Sequence, residues 1–403
     1  MLAAVILLAL AAAACRPAPT RAPVTPAPGT LEAPGQSPEA PTPTWPPRAT
    51  AEPTQAIAPS PEPSEPTPLP GNWSLVSLRE DAVLVGDAWG VESKQVLSLG
   101  DAVGIALHGD QLAYVAEGSI LLARLDGSAP RRLADAPPSF LLGPDLVWTG
   151  DGQALLTVAD REDVSAAQTG TSIDIGVVSV SSGTWRPGLA LADRAGVTIL
   201  HAPAADGEIL LVAWGAEPAF REALRYDLST GDLLASIPVA GQAEAIPSPD
   251  GRFVLTTLFD QARGTMTDLL YDLTDPALGL RQRLTLPAGA HSASHVWSPD
   301  GRRIAYTLRL GRVLGEEGEA ADQALGIWIW DLEEQRTTKV ADASDPASGP
   351  VAWTPDGRYL ICRQADPSGA YAYYAIDTAT GASRRLSLDP ASRILGWIPA
   401  PAG

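Results

Sequence analysis

The chain has 403 residues with 28 basic and 47 acidic side chains; 3 of the basic and 5 of the acidic ones precede residue 71, leaving 25 against 42, a net charge of −17, on residues 71–403. That balance argues against a nucleic-acid partner and against an electrostatic grip on anionic lipid, and it suits neutral or cationic partners. Two cysteines, Cys15 and Cys362, provide no disulfide framework, and Cys362 stands in the apolar run Tyr359-Leu360-Ile361-Cys362, where a thiol is expected to pack as a small hydrophobe.

Met1 to Ala14 is wholly apolar, short for a membrane span, and ends in small residues just before Cys15. Ala12-Ala13-Ala14-Cys15 resembles the lipobox of a bacterial lipoprotein. The resemblance implies a signal peptide over 1–14, lipidation of Cys15, and a location in the bacterial cell envelope, extracytoplasmic and anchored to the membrane by lipid. The alternative is plain secretion with no role for Cys15. From Arg16 to Pro70, 18 of 55 residues are proline, set among Thr, Ala, Ser and Glu. Such a composition buries too little surface to fold, so residues 15–70 read as a lipidated cysteine followed by a disordered stalk. Proline biases it toward polyproline II, with a reach on the order of 170 Å at about 3.1 Å per residue.

Residues 71–403 read as one folded domain because a motif recurs in them. Trp297-Ser298-Pro299-Asp300-Gly301-Arg302 returns as Trp353-Thr354-Pro355-Asp356-Gly357-Arg358 and as Pro247-Ser248-Pro249-Asp250-Gly251-Arg252, with degenerate copies around Asp151-Gly152 and Asp206-Gly207. The repeat length is about 50 residues, the size of a propeller blade. In the clearest copy, Ser294 to Trp297 predicts a first strand and Ser-Pro-Asp-Gly a tight turn. Arg303 to Leu308 predicts a second strand, Gly326 to Leu332 a third and Thr337 to Val340 a fourth, with a charged loop from Gly311 to Ala324. After the third strand, Tyr226-Asp227-Leu228-Ser229-Thr230-Gly231 matches Ile376-Asp377-Thr378-Ala379-Thr380-Gly381. These aspartates recur because an Asx turn needs them, and they do not read as catalytic carboxylates.

The Trp-Ser-Pro-Asp-Gly-Arg core followed by an Asp-x-x-Thr-Gly turn resembles the WD-like repeats of TolB-type propellers, also seen in the propeller half of prolyl-oligopeptidase-like enzymes. The resemblance implies an all-β propeller of four-stranded antiparallel blades. Six blades fit 103–133, 145–189, 197–237, 243–286, 292–340 and 350–388. Arg393 to Ile398 aligns with a first strand and Trp73 to Leu99 offers three strand-like runs, so one strand from the C-terminal end and three from the N-terminal end make a seventh blade that closes the ring. Six blades, as in TolB itself, is the alternative.

In propellers of this kind the turns between strands one and two and between three and four share a face. Here those are tight, whereas the opposite face receives Ala159 to Ser172, Trp214 to Glu222, Phe259 to Thr267 and Arg309 to Leu325. Insertions confined to one face mark the binding side of a repeat scaffold. His291 and His295 precede a first strand on that side, and Glu244 and Asp345 occupy equivalent inter-blade connections. These four are the candidate channel-mouth residues, read as polar lining and not as a metal site; His108 and His201 stand alone in the sequence. No Gly-x-Ser-x-Gly elbow and no phosphate-binding glycine loop occurs, so no catalytic residue and no cofactor is expected. The resulting expectation is a monomeric, lipid-anchored binding or scaffold module for a protein, peptide or envelope glycan, working through its loop-rich face. The alternative is a propeller enzyme, a glycan-acting hydrolase or lyase with its active site at the channel mouth.

Overall fold

The computed structural model describes residues 73–400, apart from 136–139, 162–172, 192–195, 204–206, 215–219, 241–244, 261–264, 276–278, 288, 311–322, 344–347 and 367. The signal peptide, Cys15 and the stalk expected over 1–70 lie outside the described residues. The chain enters the fold with β1 (Trp73–Arg79), β2 (Ala82–Asp87) and β3 (Lys94–Ser98). Six meanders follow. The first two are β4 (Val103–His108), β5 (Gln111–Ala116), β6 (Ser119–Arg124) and β7 (Arg131–Asp135), then β8 (Phe140–Trp148), β9 (Ala154–Arg161), β10 (Ile173–Ser179) and β11 (Trp185–Leu191). Next come β12 (Gly196–His201), β13 (Glu208–Trp214), β14 (Phe220–Asp227) and β15 (Leu233–Ala240), followed by β16 (Ile246–Pro247), β17 (Phe253–Asp260), β18 (Thr265–Asp272) and β19 (Leu280–Thr285). The last two are β20 (Ala290–Trp297), β21 (Arg303–Leu310), β22 (Gln323–Asp331) and β23 (Arg336–Ala341), and β24 (Gly349–Trp353), β25 (Tyr359–Ala365), β26 (Tyr371–Asp377) and β27 (Ser383–Arg385). Finally β28 (Arg393–Pro399) returns to pair antiparallel with β1, Trp73 opposite Pro399 and Leu78 opposite Arg393.

The result is a seven-bladed propeller of four-stranded antiparallel sheets, with no helix among the described residues. Blade 1 is β28-β1-β2-β3, the closing blade expected from the two chain segments, and blades 2 to 7 follow in chain order. Pairing β28 with β1 gives the last edge of the ring a partner.

Second strands are buried on both sides because each blade is covered by its neighbours. Ile304, Ala305, Tyr306, Thr307 and Leu308 of β21 are all buried, as are Ile209 through Ala213 of β13. First-strand tryptophans stitch one blade to the previous one: the indole N–H of Trp148 donates to Ala106, that of Trp297 to Ile246, and that of Trp353 to Val296, at 3.0–3.2 Å. The Ser-Pro-Asp-Gly turn is closed by its own hydroxyl. Ser298 Oγ donates to Asp300 at 2.5 Å and accepts from the Arg303 amide at 2.9 Å, and Thr149, Ser248 and Thr354 repeat the arrangement. Gly301, with φ 67°, supplies the left-handed residue that this turn needs.

Strands run further toward the opposite face than composition suggests. Asp260 pairs with Thr265, Trp214 with Arg221 and Leu310 with Gln323, so ladder pairing extends into segments expected as loops. What remains between those strands, 162–172, 215–219, 261–264 and 311–322, lies outside the described residues.

Candidate functional site

His291 and His295 lie inside β20, not before it. Adjacent residues of a strand face opposite ways, and residues three apart would do the same. β20 breaks this rule. Ser294 takes φ 56° and the β20–β21 register shifts between Ala293 and Val296, which inserts an extra residue. The bulge lets Ser292 and His295 turn to one acceptor, Asp268 of β18. Ser292 Oγ donates to Asp268 Oδ1 at 2.9 Å, Thr257 Oγ1 of β17 donates to the same oxygen at 2.9 Å, and His295 Nε2 lies 3.3 Å from Oδ2. Asp268 is fully buried and the His295 side chain is 8% exposed. His295 also stacks on Tyr306, with ring centroids 6.0 Å apart. Burial, with the Asp268 charge added, pushes the Tyr306 phenol well above its ordinary range, against a hydrogen bond with Thr337. His291 sits opposite Arg309, in a different environment from His295. Glu244 and Asp345 lie outside the described residues.

Asp268 is the anomaly of the repeat. It stands four residues before Asp272, and at the same register of the third strand the other blades hold Val83, Ile120, Ile175, Ala223, Ile327 and Tyr373, all buried. Six blades therefore fold with an uncharged residue at this place. Among the described residues β16 comprises Ile246–Pro247, and β20 packs directly against β18, so the polar cluster fills the seam between blades 5 and 6. An alignment of third strands on their turns would have exposed the odd residue. The histidines stand out in the sequence only because they are rare, 4 in 403 residues.

The histidines that looked isolated share a cavity. On the tight-turn face the ends of β4, β8 and β12 border an open pocket of about 370 Å³, lined by Leu107, His108, Trp148, Thr149, Leu200, His201 and Pro249. His108 stacks on Trp148 at 5.4 Å. Each imidazole lies over the Asp-Gly turn of the next blade: a Cβ on Gly152 would meet His108, and one on Gly251 would meet His201. Burial pushes the His201 imidazole below its ordinary range, and Asp250 opposes the shift. Among the described residues no group of three or more His, Cys, Asp or Glu side chains is placed to hold a metal ion. Cys362 is fully buried, and burial holds its thiol protonated.

No family model matches the chain, and no curated protein matches it. Similar solved structures include an oligogalacturonate lyase in complex with manganese, 14% identical with TM-score 0.53 over 74% of this chain and 82% of that one. Oligogalacturonate lyase from Vibrio parahaemolyticus is 10% identical with TM-score 0.54 over 73% and 83%. TolB from Acinetobacter baumannii is 15% identical with TM-score 0.40 over 81% and 83%. At these identities the likeness is one of fold alone.

Proposed function

We propose that the protein is a lipid-anchored, extracytoplasmic binding module that takes a protein, peptide or envelope glycan on the face carrying the long second-to-third-strand connections. The observation that carries this reading is the asymmetry of the ring. Blades 3 and 6 place residues 162–172 and 311–322 between their second and third strands, whereas blade 2 passes from Ala116 to Ser119 in a two-residue turn and no turn on the opposite face approaches those lengths. A rigid scaffold that lengthens connections on one side fits recognition there. The sequence supports the anchor: an apolar leader, Cys15 and a proline-rich tether.

Two measurements test this. Detergent-phase partitioning should hold the wild type and release Cys15→Ser; equal partitioning of the two removes the anchor. Affinity capture from native membranes should recover a discrete partner that is lost when residues 311–322 are shortened, and a recovery unchanged by that deletion moves the binding face elsewhere. A second reading, a glycan-acting enzyme, would place its site at the open pocket beside His108 and His201 on the tight-turn face, not at the expected channel mouth. Its test is incubation with envelope glycan fragments, which the wild type would shorten and a His108→Ala/His201→Ala variant would not.

A further inference from the structure

The outer strands of the blades differ in one respect that the fold does not require. β3, β7, β11, β19, β23 and β27 each carry at least one Lys or Arg, the usual means by which an edge strand resists pairing with another chain. β15 reads Leu-Leu-Ala-Ser-Ile-Pro-Val-Ala and carries no charge. It pairs with β14 on one side and ends the sheet of blade 4 on the other. Leu233 is 52% exposed and Leu234 39%. Pro238 lacks an N–H, and the β14–β15 register shifts between Arg225 and Tyr226 so that Leu234 is an extra residue; the open edge is the short run Leu233–Ile237, whose alternate residues turn their N–H and C=O groups away from β14.

We propose that β15 is a docking edge to which an extended peptide adds as a fifth strand of blade 4. Main-chain hydrogen bonds would supply affinity, and side chains at alternate positions would supply selectivity. A second copy of the chain is the poorer occupant. A stable interface engages about 20–30 residues a side, far more than Leu233–Ile237 offers, and two bodies each carrying −17 repel one another. The same charge selects the peptide's chemistry. Glu222, Asp227 and Asp232 border the strand, while Arg225 opposite Ala235 is paired with Glu208, so the segment that fits has apolar side chains at alternate positions, to extend the apolar surface of β15, and basic residues at its flanks. This edge lies on neither face of the ring, and its use does not depend on the loop-face reading above.

The probe is a fluorescein-labelled peptide, Lys-Val-Thr-Val-Thr-Val-Lys, titrated with the full chain and followed by anisotropy. A second peptide carries N-methyl groups on alternate amides, which keeps every charge and side chain but blocks strand pairing. The wild type is expected to bind the first peptide at least tenfold more tightly than the second. Leu233→Lys/Leu234→Lys, which gives β15 the character of the other six edges, should lose at least tenfold in affinity with an unchanged urea midpoint. Equal binding of the two peptides overturns the proposal without any variant, and so does the absence of binding to either. A concentration-dependent dimer in sedimentation, abolished by the same double substitution, would assign the edge to a second copy instead.

Discussion

Two aspartates four residues apart on β18 show how differently the two ends of a blade are built. Asp272 heads the third-strand turn on the tight-turn face, where the Thr274 hydroxyl donates to it at 2.5 Å and the Thr274 amide at 3.0 Å. Asp227, Asp331 and Asp377 do the same work in other blades. Asp268 lies at the seam between blades 5 and 6, fully buried, with two hydroxyls and an imidazole around it and no carboxylate at the same place in any other blade. One residue type thus serves a repeated local need at one end and a single long-range need at the other. Replacing a turn aspartate costs one hydrogen-bonded turn. Replacing Asp268 strands three partners in a buried seam.

The largest expected effect follows from that contrast. Removing one member of a buried, hydrogen-bonded charge cluster costs about 3–5 kcal/mol, because the partners left behind cannot reach water. Asp268→Ala should lower the free energy of unfolding by that order in urea titrations. Asp268→Ile together with His295→Leu should recover much of the loss, since Ile175 and Ile327 show that the position accepts isoleucine. An Asp268→Ala variant no less stable than Asp272→Ala would erase the distinction between the two ends.

A smaller loss is expected from Ser298→Ala. The hydroxyl is fully buried, donates to Asp300 and accepts from Arg303, so its deletion leaves the half-buried Arg303 amide short of one partner, a cost of about 1–3 kcal/mol. The equivalent change Thr354→Ala should cost a similar amount. Values differing by more than twofold between the two blades would mean that the repeated turns are not energetically equivalent.

These contrasts also mark what the amino-acid order discloses. Turns are local, so Ser-Pro-Asp-Gly and Asp-x-x-Thr-Gly could be read directly, and with them the blade count, the closing of the ring by Trp73–Arg79 and Arg393–Pro399, and the buried Cys362. The seam was not legible. Thr257, Asp268, Ser292 and His295 come from three strands, β17, β18 and β20, and the bulge at Ser294 that aligns the two on β20 leaves no compositional mark. His108 and His201 are 93 positions apart and meet one cavity only because blades 2 to 4 turn their first-strand ends toward it.

Below about pH 4 acid should act on the tight-turn end through its carboxylates. Burial raises the carboxyls of Asp272, Asp300 and Asp377, but hydrogen bonds from turn hydroxyls and amides and the nearby arginines outweigh it, so all three sit below their ordinary value of 3.8. The unfolded chain therefore takes up protons before the folded one as pH falls. The stabilisation from these groups is complete above about pH 4 and is lost as pH drops through the folded values. Urea midpoints measured from pH 6 to pH 2.5 should fall below pH 4, and Asp300→Asn should flatten that fall. A decline that begins at pH 5, persists in His201→Gln and ignores the Asp300 substitution would point to other carboxylates.

The smallest effect separates the two imidazole–carboxylate pairs. His295 and Asp268 are sealed in the seam, whereas His201 lies over the Asp250-Gly251 turn beside an open cavity. Burial holds the folded His201 below 6.5, and the Asp250 charge opposes it. As pH falls through 6.5 the unfolded chain binds a proton at residue 201 before the folded one does. Stability from this group is therefore complete above about pH 6.5 and declines as pH approaches the lowered folded value, a window separate from that of the turn carboxylates. His201→Gln should abolish the decline between pH 7 and pH 5. Asp250→Asn removes the opposing charge and should deepen it. If the two variants and the wild type trace the same profile over that interval, the imidazole is well enough hydrated at the cavity to titrate alike in both states, and its burial beside Leu200 and Pro249 has no energetic weight.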